Sequence, residues 1–196
     1  MKLNNIVYIS ENKVIEYSNG LFYEQKFSKK ILNNGIIYNK NEFITKYNYF
    51  IKKNRIKRLF HNKNKIIIYN GNISINDKNK IEEVFTDLNI KVLKYLKDYS
   101  FLNVTKNDSY LIGNEYLTLL YITRYNTKKT LTLNTNELSQ TDLLYLVKSK
   151  IKKNLLILSN NESVIKMFNK KNNIYIISEY EKYIINIAKN YYAKLS

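Results

Sequence analysis

The sequence predicts an α/β fold of two lobes, each with the strand and helix order βββαβαβα. Three observations carry this. Two short runs, Ile66-Ile67-Ile68 and LLIL at 155–158, are continuously apolar, as in strands buried on both faces. Each run follows three strand-like segments and a helix-period segment, and each leads through a turn into a helix and a further strand. The order occurs twice along 196 residues as a pattern rather than a repeated sequence, with the division near 104–108. The lobes expected are therefore residues 1–105 and 106–196.

The first lobe is organised around residues 65–93, KIIIYNGNISINDKNKIEEVFTDLNIKVL. The triple isoleucine is the buried strand and Gly71 marks its turn. Ser74 or Asn76 caps a helix whose Ile81, Val84, Phe85 and Leu88 recur at helical spacing, with Glu82, Glu83 and Asp87 turned away. Asn89 ends that helix, and 90–93 begins the next strand. This is a β-turn-α-β unit, and the turn after such a strand is where α/β proteins usually bind ligands.

In chain order, 6–10 and 13–17 are strands joined by a tight turn at Glu11-Asn12. Ser18-Asn19-Gly20 is a hairpin turn into a third strand over 21–27. A helix is expected over 41–54 with Phe43, Tyr47, Phe50 and Ile51 inward, and a short helix over 94–102. The second lobe has strands over 110–112, 116–123 and 130–133. Ser139 or Thr141 then caps a helix running to about 152. The buried strand 155–158, a turn at Asn160-Asn161, a helix around Val164, Ile165 and Phe168, a strand over 174–177 and a last helix over 179–195 complete the chain.

An apolar content of 44% suffices for a core. No run reaches the ~20 apolar residues of a membrane span. The N-terminal segment has no signal-peptide pattern, so a cytoplasmic protein is expected. The absence of cysteine excludes disulfides, thiolate metal sites and a cysteine nucleophile. His61, the only histidine, lies in a Lys/Asn-rich loop and reads as an exposed loop residue; no metal site is expected. The formal charge of +17 suits an anionic partner. The abundance of Lys, Asn, Ile and Tyr, with no Pro or Trp, also fits drift in an AT-rich genome.

The residues now support a family comparison. Gly35-Ile36-Ile37 and the following helix look like the G-V-I-A-D segment of the rod-shape-determining MreB family. Residues 66–102 match, without a gap, that family's strand, P-S-G-I-T-E-V-E-R turn, helix and E-E-P segment. SYLIGNEYLTLLYI at 109–122 looks like its D-I-G-G-G-T strand pair, and LLILSNNESVIKMF at 155–168 like its I-L-T-G-G segment. The chain thus resembles the bacterial actin-like proteins, above all MreB and more distantly PilM and FtsA. The resemblance implies an actin-like (ASKHA/RNase H-like) core. The outer subdomains are reduced or absent, because little lies between Phe27 and Gly35 or between Leu133 and Ser139.

The resemblance also implies a nucleotide site, and here the chain departs from the family. Ser10 and Glu11 stand in the first phosphate loop, which lacks its Asp and Gly. In the second loop Leu111 replaces the Asp, and Gly113-Asn114-Glu115 keeps one glycine. Asn160-Asn161 replaces the adenosine-side Gly-Gly. Asp77 is the remnant candidate for the acid that polarises water, although a first-turn acid is also favoured by the helix dipole. Glycines admit backbone amides to phosphates and aspartates hold the Mg²⁺ water shell. Four glycines in the whole chain cannot build a Gly-rich cradle.

The expectation is a non-catalytic actin-like scaffold or adaptor in bacterial cell-shape, envelope or pilus/secretion machinery, with no ATPase and no cofactor. Its partners would be proteins, self or an envelope or secretion component, and it could sit peripherally on the inner membrane face. A nucleic-acid-binding protein is the first alternative and an ATPase with a remodelled Mg-ATP site the second. Basic runs at 52–58, 148–153 and 170–171 lie near aromatics. The first reads as the wet side of a helix whose aromatics face the core. The amphipathic C-terminus (YEKYIINIAKNYYAKL) reads as the fold's last helix rather than a membrane anchor.

Overall fold

The computed structural model describes residues 5–54, 65–100, 108–112, 116–122, 127–134, 137–149, 155–168 and 174–193. His61, Gly113, Asn114, Glu115, Lys170 and Lys171, with 55–58 and 150–153 of the basic runs, lie outside them. The chain divides into two units, Met1–Asp98 with Ile185–Ser196, and Tyr99–Ile184.

In the first unit, β1 (Asn5–Ile9), β2 (Lys13–Ser18) and β3 (Leu21–Lys26) form an antiparallel meander. A two-residue hairpin of β4 (Leu32–Asn33) and β5 (Ile36–Ile37) follows, then α1 (Lys40–Lys53), β6 (Lys65–Tyr69), α2 (Ile75–Asp87) and β7 (Val92–Lys97). The sheet order is β3-β2-β1-β6-β7, with β1, β6 and β7 parallel.

The second unit holds β8 (Asp108–Ile112), β9 (Tyr116–Ile122), β10 (Thr127–Asn134), α3 (Gln140–Ser149), β11 (Leu155–Ser159), α4 (Glu162–Phe168) and β12 (Ile174–Ile177). A last helix, α5 (Tyr180–Ala193), follows. Its sheet runs β10-β9-β8-β11-β12, again with three parallel strands at one side. The two sheets have the same strand order, so the repeat read from the pattern is a repeat of topology.

Local chemistry explains the elements. Asn19-Gly20 and Asn34-Gly35 both have positive φ at each residue, the geometry of the tight turns that join antiparallel strands. The Ser74 hydroxyl, not Asn76, caps α2 by accepting the Asp77 amide. At the other end Asn89 has φ of 53°, its amide bonds to Thr86 and the Ile90 amide to Phe85, a left-handed stop that satisfies two helix carbonyls. Ser139, not Thr141, caps α3 in the same way.

The core of the first unit lies between the sheet and its helices. Phe43, Tyr47, Phe50 and Ile51 of α1 and Ile81, Val84 and Phe85 of α2 are buried against Val7, Ile9, Val14 and Ile67. These are the inward residues expected, and each such side chain contributes about 1.5–3 kcal/mol on burial. Ile66 and Ile68, on the opposite face of β6, are also fully buried, as a strand covered on both sides requires.

Two expectations are corrected. The strand over 90–93 begins later, at Val92, and continues to Lys97, so there is no helix over 94–97; 98–100 is a short 3₁₀ turn. Lys94 to Lys97 pair in register with Ile66 to Tyr69, and a register shift at Lys65/Ile66 admits one extra residue. VLKYLK carries Lys at every third position and has no strand-like alternation, so pairing with β6 decides for a strand. The β4–β5 hairpin was not expected either.

Candidate functional site at the strand ends

In a sheet of this kind the carboxyl ends of the parallel strands are the place for a ligand. In the first unit these are Ile9, Tyr69 and Lys97, so Ser10, Asn70-Gly71 and Asp98 emerge side by side. Ser10 and Asp98 are both buried. The Asp98 carboxylate accepts the Gly71 amide at 3.1 Å and the Tyr8 hydroxyl at 3.1 Å. One acid therefore ties the end of β7 to β1 and to the turn after β6.

The neighbouring amides are engaged as well. Ser10 N–H donates to the Lys13 carbonyl at 2.9 Å, closing the β1–β2 turn. Gly35 N–H donates to the Glu11 carbonyl at 3.0 Å. The Asn70 side chain donates to the Asn34 carbonyl and accepts the Asn72 amide. Gly35 brings the β4–β5 turn so close that a Cβ there would stand 2.8 Å from the Asn70 Cβ. Asp77 lies in the first turn of α2, where its carboxylate accepts the Ser74 hydroxyl at 2.6 Å and faces Lys80 at 3.6 Å. The structure thus brings Ser10, Glu11 and the turn before Asp77 to one edge, stitched by their own hydrogen bonds.

The second unit repeats the theme. Ser159, fully buried at the end of β11, donates to the Ile112 carbonyl at 2.8 Å and accepts the Asn161 amide. Asn161 then accepts the Ser163 and Val164 amides, capping α4. Asn160 donates to the buried Glu181 at 2.6 Å. Asn160 and Asn161 therefore each hold part of the fold.

A second polar cluster lies deeper in the first unit. Glu16, in mid-strand of β2, is fully buried; its carboxylate accepts the Lys65 amine at 2.5 Å and the Tyr47 hydroxyl at 2.7 Å. Burial, then the charge on Glu16 and its hydrogen bond, holds the Tyr47 phenol well above its ordinary pKa. Sequence reasoning missed Asp98, Glu16, Lys65, Ser159 and Glu181. The one signal available was a charged residue set within an apolar stretch, as in KVIEYS. Among the described residues no three His, Cys, Asp or Glu side chains are grouped as metal ligands, and no helix is long and apolar enough to cross a membrane.

No protein-family model matches the chain, and no curated protein matches it in sequence. Its structure is similar to MreB5 of Spiroplasma citri, solved with AMPPNP and with ADP, at a TM-score of 0.59 and 7% identity over 100% of this chain and 98% of that one. It is also similar to the ethanolamine utilization protein EutJ of Carboxydothermus hydrogenoformans, with a TM-score of 0.58 and 8% identity over 88% and 84% of the two chains. The fold is actin-like.

Proposed function

We propose that this actin-like chain is a nucleotide-independent scaffold or adaptor, acting through protein contacts in bacterial cell-shape, envelope or pilus/secretion machinery. One observation carries the reading. At the edge where the fold would take a phosphate, the Gly71 amide is already bonded to an internal carboxylate, Asp98. A phosphate there would have to displace that acid and would meet its negative charge in a buried setting. The bonds made by Ser10 and Gly35 add to the closure. Asp77, the remnant candidate for the acid that polarises water, is committed to the cap of α2. Preorganised donors aimed at a transferring phosphoryl group dominate such catalysis, and donors already spent on the fold supply none of it.

The MreB5 relative was solved with AMPPNP and with ADP; this chain is proposed to have kept its framework and lost its nucleotide. Calorimetry with Mg-ATP tests this directly, and no heat of binding is expected. Binding at micromolar affinity, or ATP turnover above that of a heat-treated control, would sink the reading and return the chain to the ATPases. The net charge of +17 fits an acidic protein surface or the anionic inner face of a membrane as its working partner. Sedimentation with anionic vesicles tests the membrane form, and full recovery in the supernatant would count against it.

A further inference from the structure

We propose that the outer face of α1, built on Tyr49 with Lys52 and Lys53, binds single-stranded nucleic acid. Three of the four aromatics of this helix are accounted for as core: Phe43, Tyr47 and Phe50 are buried and stacked on one another. Tyr49 is different. It is 65% exposed, and among the described residues it has neither a ring partner nor a hydrogen-bond partner. Lys46, Lys52 and Lys53 stand three before, three after and four after it, the spacings that share a helix face.

Charge bookkeeping isolates two of these lysines. Glu42 takes Lys46 at 3.1 Å, Lys40 spans Glu83 and Asp87, Lys78 pairs with Glu82, and Asp77 faces Lys80. The acids of α1 and α2 are thereby matched, while Lys52 and Lys53 are exposed and make no ion pair among the described residues. Cations in a last helical turn are favoured by the helix dipole, which accounts for the lysines in part. It does not account for an unpartnered ring beside them.

The chemistry of the face selects the occupant. A bilayer needs a stripe of apolar side chains to bury, and α1 has spent its stripe on the core. An acidic peptide would use the amines and leave the ring idle. An unpaired base stacks on a ring while its flanking phosphates meet the amines, so a single strand uses all three groups.

The test is fluorescence anisotropy with a labelled oligothymidylate about a dozen nucleotides long, read across a salt series. Tyr49→Ala is expected to weaken binding roughly ten-fold, and Tyr49→Phe, which keeps the ring, to leave it nearly unchanged. The double variant Lys52→Ala with Lys53→Ala should flatten the slope of log affinity against log salt by about 1.4, two contacts at the single-strand value. Far-UV circular dichroism checks that each variant is folded, which the exposure of all three residues favours. Equal affinity of wild type and Tyr49→Ala would overturn the proposal. So would an absence of oligonucleotide binding, including the case in which phosphatidylserine vesicles retain the protein through Tyr49 instead.

Discussion

Glu16 and Lys65 form an ion pair inside the first unit, with side chains that are 0% and 5% exposed. Glu16 points from mid-β2 toward the helices, where the Tyr47 hydroxyl of α1 takes its second oxygen. Lys65 is the first residue of β6. One carboxylate therefore ties a hairpin strand, a helix and the central parallel strand to a single register. Such a pair adds little net stability over apolar residues of the same size, but removing one partner leaves the other charge buried alone.

Glu16→Ala is expected to destabilise the protein by about 3–5 kcal/mol, read by urea denaturation. Replacing both partners, Glu16→Leu with Lys65→Met, should cost far less than the sum of the single changes. A cycle with no such coupling would show that the two charges do not depend on each other.

Asp98 should behave as a structural acid. Asp98→Ala removes the acceptor of the Gly71 amide and the Tyr8 hydroxyl together. Leaving buried donors unsatisfied costs about 1–3 kcal/mol each. Tyr8→Phe removes one donor and should cost less. In the background of Asp98→Ala, Tyr8→Phe should cost less than it does in the wild type, because the bond between the two residues is already gone; thermal unfolding of the four proteins measures this. Additive losses would mean that Tyr8 and Asp98 are not paired in solution.

Gly35→Ala should be among the costlier small changes in the chain. The residue has φ of +78°, and a Cβ would meet the Asn70 Cβ at 2.8 Å. The backbone term is about 1 kcal/mol and the overlap adds about 1–3 kcal/mol. Gly20→Ala, with φ of +87° and nothing within 4 Å, isolates the backbone term alone. Equal midpoints for the two variants in denaturant would show that the close approach to Asn70 is relaxed at no cost.

The repeat, the buried strands and the inward faces of the helices were legible because period and apolar runs report burial directly. Phe43, Tyr47, Phe50 and Ile51 were all read correctly on that basis. Hairpins were legible where strands were long: Asn19-Gly20 joins two six-residue strands, whereas the same dipeptide at 34–35 joins strands of two residues each. Residues 94–97 read as helical because Lys94 and Lys97 stand three apart around two apolar residues, a helix-like spacing with no period-2 alternation, and only the pairing with β6 makes them a strand. The site was legible in sequence only as altered loops. The bonds that close it, such as Asp98 to Gly71 across 27 positions, depend on strand order, which no local pattern carries.

Asp142 gives the chain an acid-sensitive helix start. Its carboxylate accepts both the hydroxyl and the amide of Ser139 while Ser139 accepts the Asp142 amide, a reciprocal cap on α3. The hydroxyl bond, then the amide bond, holds its pKa below the usual carboxylate value. A carboxyl whose folded pKa is depressed contributes stability that is present above its unfolded pKa and is lost as pH falls through the folded one. Protonation of Asp142 should therefore loosen the α3 cap only in acid, below about pH 4. Asp142→Asn lacks the charge at every pH, so it should be less stable than wild type near neutrality and converge with it in strong acid. Parallel denaturation series from neutral pH to about pH 2.5 measure the difference. A constant gap across that range would mean that the Asp142 charge does not contribute to the cap.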